Sequence, residues 1–278
     1  MSTHARNWCG ALRRNWRSYA AEAFGVTLFM IASCGTAVLL HHPDLPGRRW
    51  LGESALNRRV VQALLIGVVL IPVNTNAWAK RSGAHINPAI TLAFRSMNTI
   101  SAVDAGWYIV AQCAAAVVSG RILFDLLATW YPHTEVNFNL SGPKPGFGGW
   151  PVALLAEFLI SALLMFVTLV TLHNNRLRAY SSWFGIVLIM LFIVFEAPFS
   201  GMSTNPARSL GTAAAALSFD LYWIYVLAPV SAMLLTTFLF RRYWLPARAG
   251  QTSQPAKASH WYRPDTAPPV FPVEQPDA

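Results

Sequence analysis

Charge is scarce in this sequence. Only 12% of its 278 residues are Asp, Glu, Lys or Arg, against ~25% in an ordinary soluble domain. With 54% of the residues hydrophobic, the chain cannot cover a globule with polar surface, and the soluble classes fall away. Acidic residues are the rarer sign, 12 against 21 Lys and Arg, leaving a net charge of +9. That excess does not make a nucleic-acid binder. No basic face or reader motif occurs, and the cations fall between apolar runs, where they set orientation in a membrane. Cysteine is nearly missing. Cys9, Cys34 and Cys113 show neither metal-ligand spacing nor a disulfide framework, and two of them lie inside apolar runs as small hydrophobes. No nucleophile–base set and no metal cluster emerges, so nothing points to an enzyme or a cofactor.

What the chain has in quantity is long apolar runs. A membrane helix needs about 20 apolar residues, and six runs qualify, at roughly 19–40, 60–79, 105–128, 151–172, 183–199 and 221–240. The basic, polar residues before the first (Arg6, Arg13, Arg14, Arg17) lack a clear cleavage site. They predict a cytoplasmic tail and a retained first helix, not a cleaved signal peptide. Two further apolar segments, 88–94 and 206–216, are too short to span. Each follows a near-copy of one motif, Ser82-Gly83-Ala84-His85-Ile86-Asn87-Pro88-Ala89 and Gly201-Met202-Ser203-Thr204-Asn205-Pro206-Ala207-Arg208. Glu22 lies near the start of the first run and Glu157 near the start of the fourth. Each half therefore reads long helix, long helix, Asn-Pro-Ala half-helix, long helix. Three spans per half is an odd number, so the second half enters the membrane the other way up, as an inverted repeat.

The expected fold is an all-α integral membrane protein with six transmembrane helices and two re-entrant half-helices. The predicted layout is an N-terminal tail at 1–18, a channel domain at 19–245 with repeats at 19–130 and 150–245, and a Pro-rich, disordered cytoplasmic tail at 246–278. With both termini cytoplasmic, the inner segments carry eleven cations (Arg6, Arg13, Arg14, Arg17, Lys80, Arg81, Arg95, Arg176, Arg178, Arg241, Arg242). The outer segments carry six (Arg48, Arg49, Arg58, Arg59, Lys144, Arg208), which favours that orientation.

Irregular backbone survives at membrane depth only against protein or water, so both motifs must dip into a protein-lined space. Proline suits the first helical turn and asparagine the N-cap. Asn87 then caps a half-helix starting at Pro88, and Asn205 one starting at Pro206. In an inverted repeat the two helix starts meet at the midplane, each with roughly half a positive charge. The asparagine amides offer N–H donors to a neutral oxygen. The segments before them, including Gly83, Ala84, His85, Gly201 and Ser203, offer carbonyl acceptors in file. Such a centre interrupts a proton wire and repels cations.

These motifs together resemble the aquaporin (major intrinsic protein) family over about residues 20–244. The resemblance implies passive conduction of water or small uncharged solutes through the bilayer, four pores per homotetramer and a cell (plasma or inner) membrane location. It also implies a constriction near the outer mouth formed by Arg208, Met202, Ile193 and, on the second helix, Gly67 or Ile66. Water-selective members carry Phe and His at the second- and fifth-helix positions, and this chain has neither, so the filter reads as wide and apolar. Ser209, Ala213 and Tyr225 pull back toward the water-conducting pattern, while Val226 departs from it. Glycerol, ammonia, urea and undissociated metalloid acids are the other candidate solutes. By the same resemblance His85 borders the pore and orders its loop.

Glu22 and Glu157, at matching places, are expected to accept hydrogen bonds from the re-entrant loop of their own half. Arg121 and Asp125 are spaced to pair on one helix face. Glu196 is a candidate to shape the outer vestibule, and Asn74 to share the pore-facing side of the second helix, where Pro72 invites a kink. A secondary transporter also uses inverted repeats and broken helices, but it would want carboxylates at the midplane where this chain has asparagines. A non-conducting structural member of the fold is the remaining alternative.

Overall fold

The computed structural model describes residues 3–245. The tail expected at 246–278 lies outside the described residues. Eight helices carry the architecture: α1 (Thr3–His41), α2 (Ala55–Thr75), α3 (Pro88–Ser96), α4 (Ala102–Leu126), α5 (Gly149–Leu172), α6 (Ser181–Phe195), α7 (Pro206–Ala216) and α8 (Ile224–Leu239). Six of the described helices are long and apolar enough to cross a membrane. The two half-helices α3 and α7 are not. Many of the largest exposed side chains are apolar and sit on the spanning helices, among them Val68 of α2, Leu155 of α5 and Phe238 of α8, as a lipid-facing wall requires.

Local sequence sets the helix starts. Ser54 caps α2 by accepting from the Asn57 amide at 3.3 Å. Ser101 caps α4 by accepting from the Asp104 amide at 3.0 Å, and its hydroxyl donates back to Asp104 at 2.6 Å. Asparagine followed by proline starts both half-helices.

The packing follows the inverted repeat. In the first half α1 packs along α4, and in the second α5 packs along α8. Each half-helix then leaves its own half: α3 packs on α8 and α7 on α4, while α2 meets α6 across the middle. The α4–α7 contact is backbone to backbone. A Cβ on Gly120 would lie 2.2 Å from the Gly211 carbonyl oxygen, and one on Gly211 would lie 2.5 Å from the Ala116 carbonyl oxygen. Small residues allow this approach where no hydrophobic drive between helices exists.

One boundary differs from the sequence expectation. Helix α1 begins at Thr3, well before residue 19, and its 39 residues run about 58 Å at ~1.5 Å per residue. A bilayer core is about 30 Å thick, so the helix outruns it. The extension is held by polar and aromatic contacts with the start of α4. Asn15 Nδ2 donates to Asp104 at 2.8 Å, Tyr19 Oη donates to Asp104 at 2.6 Å, and Trp8 meets Trp107 edge-on at 5.7 Å. Periodic polar contacts of this kind do not raise hydropathy, which is why the apolar count starts late.

Gly120→Val drives a branched side chain into the Gly211 carbonyl and is expected to abolish recovery of folded protein from detergent extracts. Gly35 has open space around its Cβ position, so Gly35→Ala is expected to be neutral or to stabilise by up to about 1 kcal/mol. Equal melting temperatures for Gly120→Val and wild type would show that the α4–α7 approach is not sterically tight.

Candidate functional site: a pore centred on two paired loops

The two loops that precede α3 and α7 meet and lock. Asn87 Oδ1 accepts from the Ala89 amide at 2.9 Å, capping α3, while its Nδ2 donates to the Thr204 carbonyl at 2.7 Å. Asn205 Oδ1 accepts from the Ala207 amide at 3.0 Å, capping α7, while its Nδ2 donates to the Ile86 carbonyl at 2.8 Å. Each asparagine thus caps its own helix and holds the other half's loop. An amide NH2 carries two hydrogens, so one on each asparagine is committed to the lock and one remains to offer. Ala89 and Ala207 are fully buried, which leaves no room for a larger third motif residue. Pro88 and Pro206 are buried in the first turns of α3 and α7.

The backbones of the loops repeat each other. Gly83, Ala84 and Ile86 have φ of +84°, +48° and +51°, and Gly201, Met202 and Thr204 have +81°, +44° and +54°. Glycine accepts this region freely; alanine, methionine and above all the β-branched Ile86 and Thr204 do not. Such residues cost about 1–3 kcal/mol each and persist only when their surroundings hold them.

The holding groups are Glu22 and Glu157, both fully buried. Glu22 accepts from the His85 amide at 3.0 Å and the Ile86 amide at 2.5 Å. Glu157 accepts from the Ser203 amide at 2.6 Å and the Thr204 amide at 2.8 Å. Hydrogen bonds to a charged group contribute about 1.5–3 kcal/mol each, the same size as the strain they oppose. A second layer repeats as well. The hydroxyls of Ser82 and Ser200 accept from the Ala84 and Met202 amides, at 3.1 and 3.0 Å. Tyr108 and Tyr225 donate to the Ser82 and Ser200 carbonyls, at 2.9 and 2.5 Å. Gln112 adds a donor to Glu22 at 2.7 Å. Sequence reading passed over Ser82, Ser200, Tyr108 and Gln112. The Ser-Gly pair repeated at the start of both loops was the available signal.

Two cavities border the paired loops. The larger, about 1280 Å³, opens at the end that carries Arg14, Arg17, Arg81 and Arg178 and reaches Asn87 and Asn205. Gly83, Ala84, His85 and Ser203 border it, as does Asn74 of α2. The smaller, about 510 Å³, opens at the opposite end and is bordered by Ile66, Ile193, Gly201, Met202 and Arg208. Of the two second-helix candidates, Ile66 therefore borders the passage. Gly67 faces Met190, whose Sδ would lie 2.6 Å from an added Cβ. Among the described residues the carbonyls of Gly83, Ala84, His85, Gly201 and Met202 accept no hydrogen bond, so they stand available as acceptors; the Ser203 carbonyl accepts from its neighbour Thr204 at 2.7 Å.

Arg208 is buried, and its guanidinium donates to the Ser141 hydroxyl. Ser209 Oγ lies 2.7 Å from Ser141 Oγ and 2.6 Å from Ser203 Oγ, tying Arg208 to the second loop. Arg59 and Lys144 border the same cavity, with Glu135 and Asp220 as its acidic residues. Burial, with Arg59 nearby, lowers the Lys144 ammonium from its usual range. His85 stacks on Phe94 at 4.8 Å and its Nδ1 lies 3.2 Å from Thr91 Oγ1. Both partners lie on α3, so the ring is fixed to the half-helix that follows its loop.

Two polar residues lie elsewhere than their spacing suggested. Among the described residues Arg121 makes no ion pair with the exposed Asp125; its guanidinium sits 4.8 Å over the half-buried Phe124 ring. Glu196 borders neither cavity. Both of its carboxyl oxygens are buried without a hydrogen bond among the described residues. Among the described residues no group of three or more potential metal ligands occurs.

With this geometry established, comparison with known proteins is specific. The sequence profile of the family described as "Major intrinsic protein" matches residues 11–240. Aquaporin NIP1-2 of Oryza sativa subsp. japonica is 30% identical over 227 residues, covering 81% of this chain and 70% of that protein. Aquaporin-1 of Ovis aries is 26% identical over 228 residues, covering 81% of each. The X-ray structure of the aquaglyceroporin from Plasmodium falciparum superposes with a TM-score of 0.68, covering 84% of this chain and 98% of that one. At 16% identity it speaks to the fold alone.

Glu22→Ala and Glu157→Ala each leave two strained loop amides without an acceptor. Each is expected to lower stability in detergent by roughly 3–5 kcal/mol, the cost of orphaning buried partners, read as a fall in the thermal midpoint. An unchanged midpoint for either variant would show that the loops hold their shape without the carboxylates.

Proposed function

The chain belongs to the major intrinsic protein family and is a membrane channel for water and small solutes, not an enzyme; from that premise we propose that it conducts water, together with other small uncharged solutes, while excluding protons and ions. The observation that carries the reading is the asparagine lock. Two helix starts, each with roughly half a positive charge, converge where Asn87 and Asn205 hold one another's loops. Each amide keeps one N–H for the solute. A water that accepts from both points its own hydrogens outward, toward the carbonyls of the two loops. It cannot at the same time accept along a proton wire, and the positive centre repels hydronium and metal cations.

The selectivity filter is Arg208, Met202, Ile193 and Ile66. Three apolar walls and one cation support passage of molecules that are neutral and small, with Arg208 as the donor at the mouth. Water is the principal solute; glycerol, urea, ammonia and undissociated metalloid acids are the alternatives that an apolar filter would admit. Both termini are cytoplasmic, so the larger cavity is the inner vestibule and the Arg208 cavity the outer one. The basic stretch at 48–59, which weighs against that orientation, has local partners: Arg48 bonds Glu53 at 2.5 Å, Arg58 donates to the Gly52 carbonyl at 2.7 Å and Arg59 to the Val194 carbonyl at 2.9 Å. Those contacts give three of the four cations a structural reason besides topology. The protein acts as a homotetramer in the cell membrane, an assignment that rests on family membership.

The test is stopped-flow light scattering of liposomes holding the purified protein. Osmotic shrinkage several times faster than in empty liposomes is expected, with no proton leak under a pH gradient. Met202→Trp should cut water permeation about tenfold by filling the filter. Shrinkage no faster than in empty liposomes would sink the water reading, and unchanged flow in Met202→Trp would move the filter elsewhere.

A further inference from the structure

Among the described residues two border both cavities, Phe29 and Met202, which places them at the neck between the two. Phe29 comes from α1. It is 8% exposed, Met202 is 6% exposed, and both belong to one apolar cluster with Ile66 and Ile193. The neck lies between the asparagine lock, which borders the larger cavity alone, and Arg208, which borders the smaller alone.

The register of α1 explains how Phe29 comes to be there. Glu22 turns to the first loop and holds its amides. Gly25, three residues on, faces the same loop, where its Cβ would lie 2.9 Å from Ile86 Cδ1. Residues at i, i+3 and i+7 share one helix face, so Phe29 falls on this stripe. At the level of Ile193 and Met202 the second helix offers an aliphatic residue, Ile66, and the space beside Gly67 is taken by Met190.

We propose that Phe29 is a specificity-determining residue, its ring setting the size limit of the solute at the neck. The inference rests on the channel reading above and deepens it. A phenyl ring is rigid and turns about two torsions, whereas the opposing methionine is flexible and adapts to what passes. The firm wall of the pair is therefore the aromatic one. It supplies from the first helix the bulk that the second helix lacks, so the passage is narrower than its filter residues alone imply. A ring face offers no hydrogen-bond partner, so a solute must cross the neck between the lock's donors and those of Arg208, which favours the smallest molecules.

The experiment uses the full-length protein in liposomes at matched protein content, comparing wild type with Phe29→Ala, Phe29→Leu and Phe29→Trp. Permeation of water, glycerol and the five-carbon polyol xylitol is followed by light scattering. Phe29→Ala is expected to raise the glycerol-to-water ratio at least about fivefold and to admit xylitol, with Phe29→Leu intermediate. Phe29→Trp is expected to slow water itself about fivefold. Ratios equal to wild type in the Ala and Leu variants, in protein that still conducts water, would overturn the proposal while leaving the channel reading intact. Wild type that conducts no faster than empty liposomes would overturn both. Phe29→Cys gives a readout independent of size: block of its water flow by a mercurial, beyond any block of wild type, supports the assignment. Sensitivity no greater than wild type removes residue 29 from the path.

Discussion

The structure depends on a reciprocal hydrogen bond. Asn87 donates to the Thr204 carbonyl and Asn205 to the Ile86 carbonyl, so neither loop holds its place without the other. Peptide groups at membrane depth cannot turn to lipid for partners. The two halves solve this by each filling the other's need. The same exchange appears one level up, where each half-helix packs on the last long helix of the opposite half. The repeat is inverted, and the two copies are interlocked at the backbone, at the helices and at the site.

A lock of this kind requires loops in an uncommon shape. Six residues at matching positions have φ in the left-handed region, and four of them are not glycine. Relaxed peptides would leave it at once. Glu22 and Glu157 hold it by accepting two successive amides each, and Ser82, Ser200, Tyr108 and Tyr225 hold the turn before it. Rigidity here is functional. Carbonyl acceptors and amide donors guide a neutral solute only if they do not relax toward one another when the solute leaves. Among the described residues five loop carbonyls accept no hydrogen bond, and the braces hold them in that state.

Much of this was legible in the residues, and for a physical reason: contrast. A carboxylate in an apolar run is conspicuous, and Glu22 and Glu157 each accept two amides of the loop in their own half. Asn-Pro sets a helix start by local chemistry alone, so both half-helices begin where expected. The second half-helix covers Pro206–Ala216, the span its apolar run gave. Residues without contrast were not legible. Phe29 is one apolar residue among many on α1, and its place on the border of both cavities singles it out. The choice between Ile66 and Gly67 depends on how α2 is rotated against α6, where Met190 takes the space beside the glycine. Arg121 and Asp125 had the spacing of an ion pair, yet the arginine prefers a neighbouring ring. The start of α1 was hidden because the contacts that extend it, through Asp104 and Trp107, are polar and aromatic.

The division of labour within each asparagine amide ties stability to selectivity. One hydrogen holds the lock, the side-chain oxygen caps a helix, and the second hydrogen is left to offer. The donor seen by the solute is therefore fixed by two bonds that also hold the fold. A free amide would rotate and present its oxygen half the time, giving a passing water an acceptor and restoring the proton wire. Here Oδ1 cannot turn outward without uncapping α3 or α7, a loss of about 1 kcal/mol from the cap alone, and also breaking the cross-loop bond. The orientation of the donor is then as robust as the fold, because the same cap and cross-loop bonds enforce both. The size limit proposed at Phe29 lies apart from this centre, on a side chain that takes no part in these bonds.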